Sequence, residues 1–117
     1  MKPSRDYLLT IDLAHPPRPP ARVEADLEAM LLKVRSSSQH RVIKVIHGYG
    51  SHGRGGSTRE TARDWAYNFR RRLRAVIHGE NYTFFDDDTQ KMRDECGKID
   101  DSDLNAANPG ITILWVK

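Results

Sequence analysis

A glycine-rich segment between a strand and a helix is the feature that most constrains the fold. Residues 41–46 read Arg-Val-Ile-Lys-Val-Ile, and this Val/Ile content predicts a strand buried on both faces of a sheet. Five of the ten residues from His47 to Gly56 are glycine. Residues 57–60 read Ser-Thr-Arg-Glu, the Ser-x-x-Glu form of a capping box, which predicts that a helix begins there. The segment therefore predicts a loop that leaves a buried strand and enters a helix.

The rest of the chain alternates strand and helix signals, with proline and glycine marking the ends of elements. The predicted elements in chain order are a strand over 7–13, a helix over 21–35, a strand over 41–46, a helix over 57–78 ended by Gly79, a strand over 81–85, a short helix near 90–95 and a strand over 111–116. The order β-α-β-α-β-β predicts an α/β fold, a two-layer sandwich with a mixed sheet.

Length and composition indicate one globular domain. The chain has 117 residues, of which 38% are hydrophobic and 30% charged, and this balance argues against wholesale disorder. A chain of this length can bury a stable core without disulfide bonds or a structural metal ion. We expect a single domain over 1–117, with a core over 7–85 and 109–117 and an acidic loop or insertion over 86–108.

Cysteine content and N-terminal hydropathy set the expected compartment. Cys96 is the one cysteine, which excludes an internal disulfide and a cysteine-only metal cluster, so nothing requires an oxidising environment. The apolar run over 7–13 is too short and too polar for a signal peptide or a membrane span. We therefore expect a cytoplasmic protein with no membrane partner.

The glycine-rich segment is a candidate phosphate site. Helix N-termini attract anions, glycines let the backbone approach a ligand closely, and His52, Arg54 and Arg59 can add positive charge. Residues 48–53 match Gly-x-Gly-x-x-Gly, but the helix begins only near residue 57 and the chain lacks the strands of a dinucleotide-binding domain. No Gly-Lys-Ser/Thr follows, which excludes a nucleotide triphosphate P-loop. The alternative is a loop whose glycines only turn the chain.

Asp12, His15 and His47 form a second constellation. Asp12 and His15 follow the first strand and His47 follows the second, so parallel pairing of these strands would bring all three to one end of the sheet. An imidazole can act as general acid or base near neutral pH, and a carboxylate can fix its tautomer. Such a group beside a phosphate site could cleave a phosphodiester. The alternative is that Asp12 caps a turn and the histidines only form hydrogen bonds to the loop or to the phosphate.

Charge is unevenly distributed. Residues 1–79 carry a net charge of +8 and residues 80–117 a net charge of −5. Arginines suit phosphate contacts and a tyrosine can stack on a base, so one face of the second helix is a candidate binding surface, with a solvated face as the alternative. This candidate face consists of Arg63, Tyr67, Arg70, Arg71 and Arg74.

The acidic C-terminal third contains two aspartate clusters, residues 86–88 and residues 100, 101 and 103. Clustered carboxylates can hold Mg²⁺, which makes Mg²⁺ the one candidate cofactor, although the spacing does not match a calcium-binding loop. The alternative, a solvated acidic loop, is the more common use of such clusters. No motif surrounds Cys96, so we interpret it as a packing residue.

Residues 43–56 resemble the His-Gly-x-Gly segment of small MutS-related (Smr) domains, with His47, Gly48 and Gly50 in matching places. The resemblance extends to Ile11-Asp12-Leu13 and to the Pro109-Gly110-Ile111 turn. It implies a β-α-β-α-β-β fold similar to the C-terminal domain of translation initiation factor three. In the family's Asp-Leu-His-Gly motif, Asp12 carries over, but Ala14 stands at the histidine position and His15 at the glycine position.

The resemblance implies a nucleic-acid-binding domain with endonuclease activity on DNA or RNA. Asp12, His15 and His47 are then the candidate catalytic residues. The alternatives are a non-catalytic module that binds nucleic acid, the ribosome or a repair complex, and a protein-interaction domain. The candidate nucleic-acid-binding residues are His47, Gly48, Tyr49, Gly50, His52, Gly53, Arg54, Arg59, Arg63, Tyr67, Arg70, Arg71 and Arg74.

Overall fold

A computed structural model describes residues 6–49 and 57–117. The described parts contain four strands and three helices, together with two short 3-10 turns, Arg70–Arg72 and Gly79–Asn81. The elements in chain order are β1 (Leu8–Asp12), α1 (Pro20–Arg35), β2 (Val42–Ile46), α2 (Thr58–Asn68), β3 (Leu73–His78), α3 (Asp87–Cys96) and β4 (Ile111–Val116). The predicted α/β sandwich with a mixed sheet is confirmed.

The four strands form one sheet in the order β1-β2-β4-β3. β1 and β2 are parallel neighbours, with Asp12 opposite Ile46 at their carboxyl ends. β4 is antiparallel to both of its neighbours, β2 and β3. Because β3 therefore runs in the same direction as β1 and β2, all three strands have their carboxyl ends at the same end of the sheet. We call this end of the sheet the rim. It comprises residues 12–15, 47–49 and 78–80 with the first turn of α2.

Helices α1 and α2 cover one face of the sheet, the helical face. Leu27 and Leu31 of α1 and Trp65 of α2 are buried there against Ile43, Val45 and other strand residues. α1 has a proline in its first turn and no side-chain cap, whereas α2 begins with the predicted capping box between Ser57 and Glu60. Packing of the two apolar helix stripes on alternate strand residues thus forms the larger core.

The segment that follows β3 covers the opposite face, here called the α3 face. Tyr82, Met92 and Trp115 are buried in this second core. Lys44 points into it and forms ion pairs with Asp101 at 2.6 Å and Asp103 at 2.7 Å. These two carboxylates are therefore exceptions to the prediction of a solvated acidic loop. The side chain of Asp101 is only 6% exposed and that of Asp103 only 21% exposed.

Two predicted elements are wrong. The helix predicted over 57–78 ends at Asn68, and residues 70–78 form a 3-10 turn followed by β3. The strand predicted over 81–85 is a loop, since the third strand has already formed at Leu73–His78. Gly79 is not a helix cap: a Cβ at this position would collide with the carbonyl oxygen of Asn108 where the end of β3 meets the start of β4.

In the described ranges, no helix has both the length and the apolar character needed to cross a membrane.

Candidate functional site

Asp12 and His15 form an exposed pair at the rim. The Nδ1 atom of His15 lies 3.1 Å from Oδ2 of Asp12, and the side chains are 80% and 41% exposed. Oδ1 of Asp12 also accepts hydrogen bonds from the backbone N–H groups of Ala14 and His15. Desolvation raises the pKa of Asp12, but these hydrogen bonds outweigh it and hold the pKa below its ordinary value. The carboxylate is therefore ionised at neutral pH and orients the imidazole so that Nε2 faces outward.

Arg18 fixes the proline-rich turn that places His15 beside Asp12. Its guanidinium donates to the carbonyl oxygens of Asp12 and Pro16 and forms an ion pair with Asp26 of α1 at 3.0 Å. Contacts of Arg18 thus hold the turn against both the end of β1 and the helix α1. This explains how His15, which follows the end of β1, reaches the carboxylate of Asp12.

His47 is buried and has a structural role. Only 3% of the residue is exposed. The carbonyl oxygen of Gly48 lies 2.8 Å from Nδ1 and can only accept, so Nδ1 carries the proton. Nε2 then accepts from the hydroxyl of Thr112 at 2.8 Å. Burial lowers the pKa of His47 to about 4, so the ring is neutral at physiological pH. The geometry favours a positioning role for His47 over the proton transfer expected for it.

Arg63 belongs to the same network and is not a free phosphate ligand. Its Nε donates to Oγ1 of Thr112 at 2.9 Å, and its other nitrogens bind Glu80 at 2.8 and 3.3 Å. The side chain is 15% exposed. The hydrogen bonds from Arg63 lower the pKa of Glu80 to about 2, so this pair stays ionised. The network connects α2 with the ends of β2, β3 and β4.

Sequence reasoning missed the contribution of β3 to this network. His78 and Glu80 stand at the end of β3, and burial together with the charge of Arg63 lowers the pKa of His78. The alternation of apolar residues over 73–78 indicates a strand, but the same residues also fit the apolar stripe of a helix. Nothing in the local sequence indicates that Thr112 belongs to this network, because its position depends on the register of β4 beside β3.

Gly48 connects the Asp12–His15 pair to the start of the glycine-rich segment. Its φ of +82° lies in the left-handed region that favours glycine. A Cβ built on Gly48 would lie 3.9 Å from the Cβ of Ala14, and one on Gly110 would lie 3.5 Å from the carbonyl carbon of Gly48. Ala14, which precedes His15, therefore lies near the backbone of Gly48. Tyr49 follows and is 68% exposed.

The remaining predicted binding residues do not form one surface. Arg59 lies in the first turn of α2, and its charge contributes to lowering the pKa of His47. Tyr67 lies about 12 Å further along α2, given a rise of 1.5 Å per residue. Arg70 and Arg71 follow at that far end, where the Arg70 guanidinium stacks 4.0 Å from the ring centre of Tyr67. The predicted single stripe on one helix is thus wrong.

Arg74 lies on the α3 face. It pairs with Glu95 at 3.0 Å, and its guanidinium lies 5.2 Å from the ring centre of Trp115, so it faces away from α2. Gly50, His52, Gly53 and Arg54 lie outside the described residues.

The donor groups of the described residues do not fit a magnesium site. Within 6–49 and 57–117, no group of three or more His, Cys, Asp or Glu side chains could hold a metal ion. Asp101 and Asp103 bind Lys44, and Asp86 caps α3 by accepting from the N–H of Thr89. Three of the six carboxylates that suggested Mg²⁺ therefore serve packing and capping, and the other three, Asp87, Asp88 and Asp100, are exposed.

Comparison of the chain with models of protein families, with curated proteins and with solved structures gives no match.

Proposed function

We propose that the chain is an Smr-like domain that binds the phosphate backbone of nucleic acid at the rim. One observation carries the proposal: Ala14, which precedes His15, lies near Gly48 at the start of the glycine-rich segment, so that a Cβ on Gly48 would be 3.9 Å from the Cβ of Ala14. The acid–imidazole pair and the first residues of the glycine-rich segment, His47 to Tyr49, thus follow the carboxyl ends of adjacent parallel strands. In open α/β sheets this is the usual place for a ligand.

Arg59 is the described residue best placed to contact a phosphate. It lies in the first turn of α2, where the helix dipole also favours an anion. The capping box leaves the N–H groups of Thr58 and Arg59 without a side-chain acceptor from this motif, since Ser57 and Glu60 bind each other. Tyr49, which is exposed beside Gly48, supplies a ring on which a base can stack.

The exposed Asp12–His15 pair favours a second activity, phosphodiester cleavage. Asp12 holds a proton on Nδ1 of His15, so Nε2 is free to accept a proton from an attacking hydroxyl. On RNA that hydroxyl is the 2′-OH; on DNA it is water. The new P–O bond forms as the bond to the 5′-oxygen breaks, and water returns a proton to the leaving oxygen. His47, which is buried and fully hydrogen-bonded, positions Gly48 and takes no proton.

Binding is tested by fluorescence anisotropy with labelled single-stranded RNA, single-stranded DNA and duplex DNA at 50 and 200 mM salt. We expect affinity to fall as salt rises, because bound phosphates release counterions. Arg59→Ala should weaken binding several-fold. Arg35→Ala is the matched control, since Arg35 ends α1 at the opposite edge of the sheet. No binding at 50 mM salt, or equal losses in the two variants, would show that the rim is not a nucleic-acid site.

Cleavage is tested on the same RNA and on supercoiled plasmid, with Mg²⁺ and with EDTA. Asp12→Asn keeps the acceptor oxygen for Ala14 but removes the charge that orients His15, so it should abolish cleavage while binding persists. Asp6→Asn is the matched control, because Asp6 accepts from the N–H of Leu8 at the other end of β1. Equal cleavage by both variants would show that the Asp12–His15 pair does not perform the reaction, and binding without cleavage by the wild type would indicate a binding module without catalysis.

A further inference from the structure

Two adjacent phenylalanines are exposed on the loop between β3 and α3. Phe84 is 52% exposed and Phe85 is 90% exposed, although the preceding Tyr82 is fully buried. Single exposed apolar side chains are ordinary, but a contiguous pair of large aromatic rings marks an interaction surface more often than chance. The nucleic-acid proposal makes no use of this pair.

The loop holds both rings outward in a fixed conformation. The N–H of Phe84 donates to the side chain of Asn105 at 2.9 Å, and its carbonyl oxygen accepts from Gln90 at 2.6 Å. The N–H of Phe85 donates to Oγ1 of Thr83. The guanidinium of Arg93 lies 5.3 Å from the ring centre of Phe84. Such a pre-organised loop loses little conformational entropy when a partner binds.

Open grooves flank Phe84 on both sides. One groove, of about 390 Å³, is lined by Phe84 and by α3 residues that include Gln90 and Asp94. The other, of about 350 Å³, is lined by Phe84 and by residues between Ile99 and Asn105. The ring of Phe84, which lines both grooves, can contact apolar side chains spaced along a peptide, as in helix-in-groove recognition.

The charged residues around Phe84 and Phe85 indicate which class of partner can bind there. Residues 84–104 contain eight acidic and three basic side chains. Arg93 is engaged with the carbonyl oxygen of Ile99, and Lys98 with Asp94. The hydrogen bond to a neutral carbonyl leaves the charge of Arg93 in place, and cations from outside the segment pair with three of the acids, Lys44 with Asp101 and Asp103 and Arg74 with Glu95. The surface still keeps a net charge of about −3, and Asp87 and Asp88 in the first turn of α3 are exposed. This negative charge repels phosphate, so the rings do not stack on nucleic-acid bases and the partner is not an anionic lipid surface.

We propose that Phe84 and Phe85, with the acidic residues around them, dock a basic segment of a partner protein that inserts apolar anchors beside Phe84. Attraction between the acidic surface and the basic segment steers association, and burial of the two rings holds the complex. This inference does not depend on the proposed nucleic-acid function.

The test titrates the full ¹⁵N-labelled chain with a panel of 16-residue peptides, each with Lys or Arg on one helical face and Leu, Phe or Met on the other. We expect amide shifts centred on residues 84–88, and at least tenfold weaker binding by Phe85→Ser. Leu32→Ser is the matched control, because Leu32 is 57% exposed on α1 and should leave affinity unchanged. The double variant Asp87→Asn with Asp88→Asn should bind the basic peptides more weakly and with a smaller salt dependence.

The proposal is overturned if no peptide of the panel binds. It is also overturned if peptides with Glu in place of Lys and Arg bind equally well, or if Leu32→Ser weakens binding as much as Phe85→Ser. Sedimentation of the free chain is the last check: self-association that requires Phe85 would make a second copy of the chain the occupant and would contradict a basic partner protein.

Discussion

His47 and Thr112 are joined by a hydrogen bond of 2.8 Å between two residues that are both almost fully buried. His47 follows β2 and Thr112 belongs to the neighbouring β4. Because Arg63 also donates to Thr112, this hydroxyl is the point where α2 and two strands meet. The network makes the stability of the rim depend on pH and on a single side-chain oxygen.

Stability should fall as the pH drops below 6.5. Folding lowers the pKa of His47 from 6.5 to about 4, so the unfolded chain takes up the proton first. The contribution of neutral His47 is therefore complete above pH 6.5, declines as the pH falls and is lost by about pH 4. A shift of this size corresponds to roughly 3 kcal/mol of unfolding free energy. Burial lowers the pKa of His78 as well, and its contribution declines in the same direction.

Urea denaturation at pH 7.5, 5.5 and 4.5 measures this dependence. His47→Asn should be less stable than the wild type at pH 7.5, since it loses a buried ring, but its unfolding free energy should decline less between pH 7.5 and 4.5. Equal declines in the two proteins would mean that His47 is not held neutral by the fold.

Replacing Thr112 separates its hydroxyl from its bulk. Thr112→Val keeps the shape but leaves Nε2 of His47 and Nε of Arg63 without their partner, and unpaired buried polar groups cost about 1–3 kcal/mol. Thr112→Ser keeps the oxygen and should lose much less. Chemical denaturation at pH 7.5 gives both values. If valine is tolerated as well as serine, the hydroxyl does not hold the network together.

Lys44 should be far more important for stability than an exposed lysine. Burial lowers the pKa of its ammonium group, but hydrogen bonds to Asp101 and Asp103 outweigh this effect and raise the pKa above its ordinary value. Lys44→Met leaves two carboxylates without their partner, and breaking a buried pair in this way costs about 3–5 kcal/mol. Lys91→Met on the exposed side of α3 is the matched control and should cost less than about 0.5 kcal/mol. Similar losses in the two variants, measured by denaturation, would contradict the buried pairing.

The fold could be predicted wherever local signals agreed with packing. The capping box at Ser57, the apolar stripe of α1 and the β-branched run of β2 each allow one interpretation. The segment Leu73–His78 allows two, because its apolar residues suit both a helix stripe and a strand. Pairing with β4 decides between them, and that long-range contact is not visible in local sequence. The same ambiguity moved the third predicted strand to 81–85.

The site could be predicted only in part, for a similar reason. Asp12 and His15 are three residues apart, so their proximity follows from a local turn. Arg63 binds Glu80 and Thr112, which are 17 and 49 residues away in sequence. Only the assembled sheet therefore shows that the guanidinium is already paired with a carboxylate. Burial of His47 likewise depends on β4, which packs beside β2 although it is last in the chain.

Glu80→Gln should strengthen nucleic-acid binding if the rim is the binding site. Glu80 neutralises Arg63 there, and its side chain is 42% exposed. Removing its charge adds one unit of positive charge to the rim, so affinity for labelled RNA or DNA at 50 mM salt should rise about threefold, with a steeper salt dependence. Glu95→Gln is the matched control, because Glu95 pairs with Arg74 on the α3 face and its loss should leave affinity unchanged. Fluorescence anisotropy measures both variants. A similar gain in both would indicate that net charge alone governs binding, and no gain in either would place the nucleic acid away from Arg63.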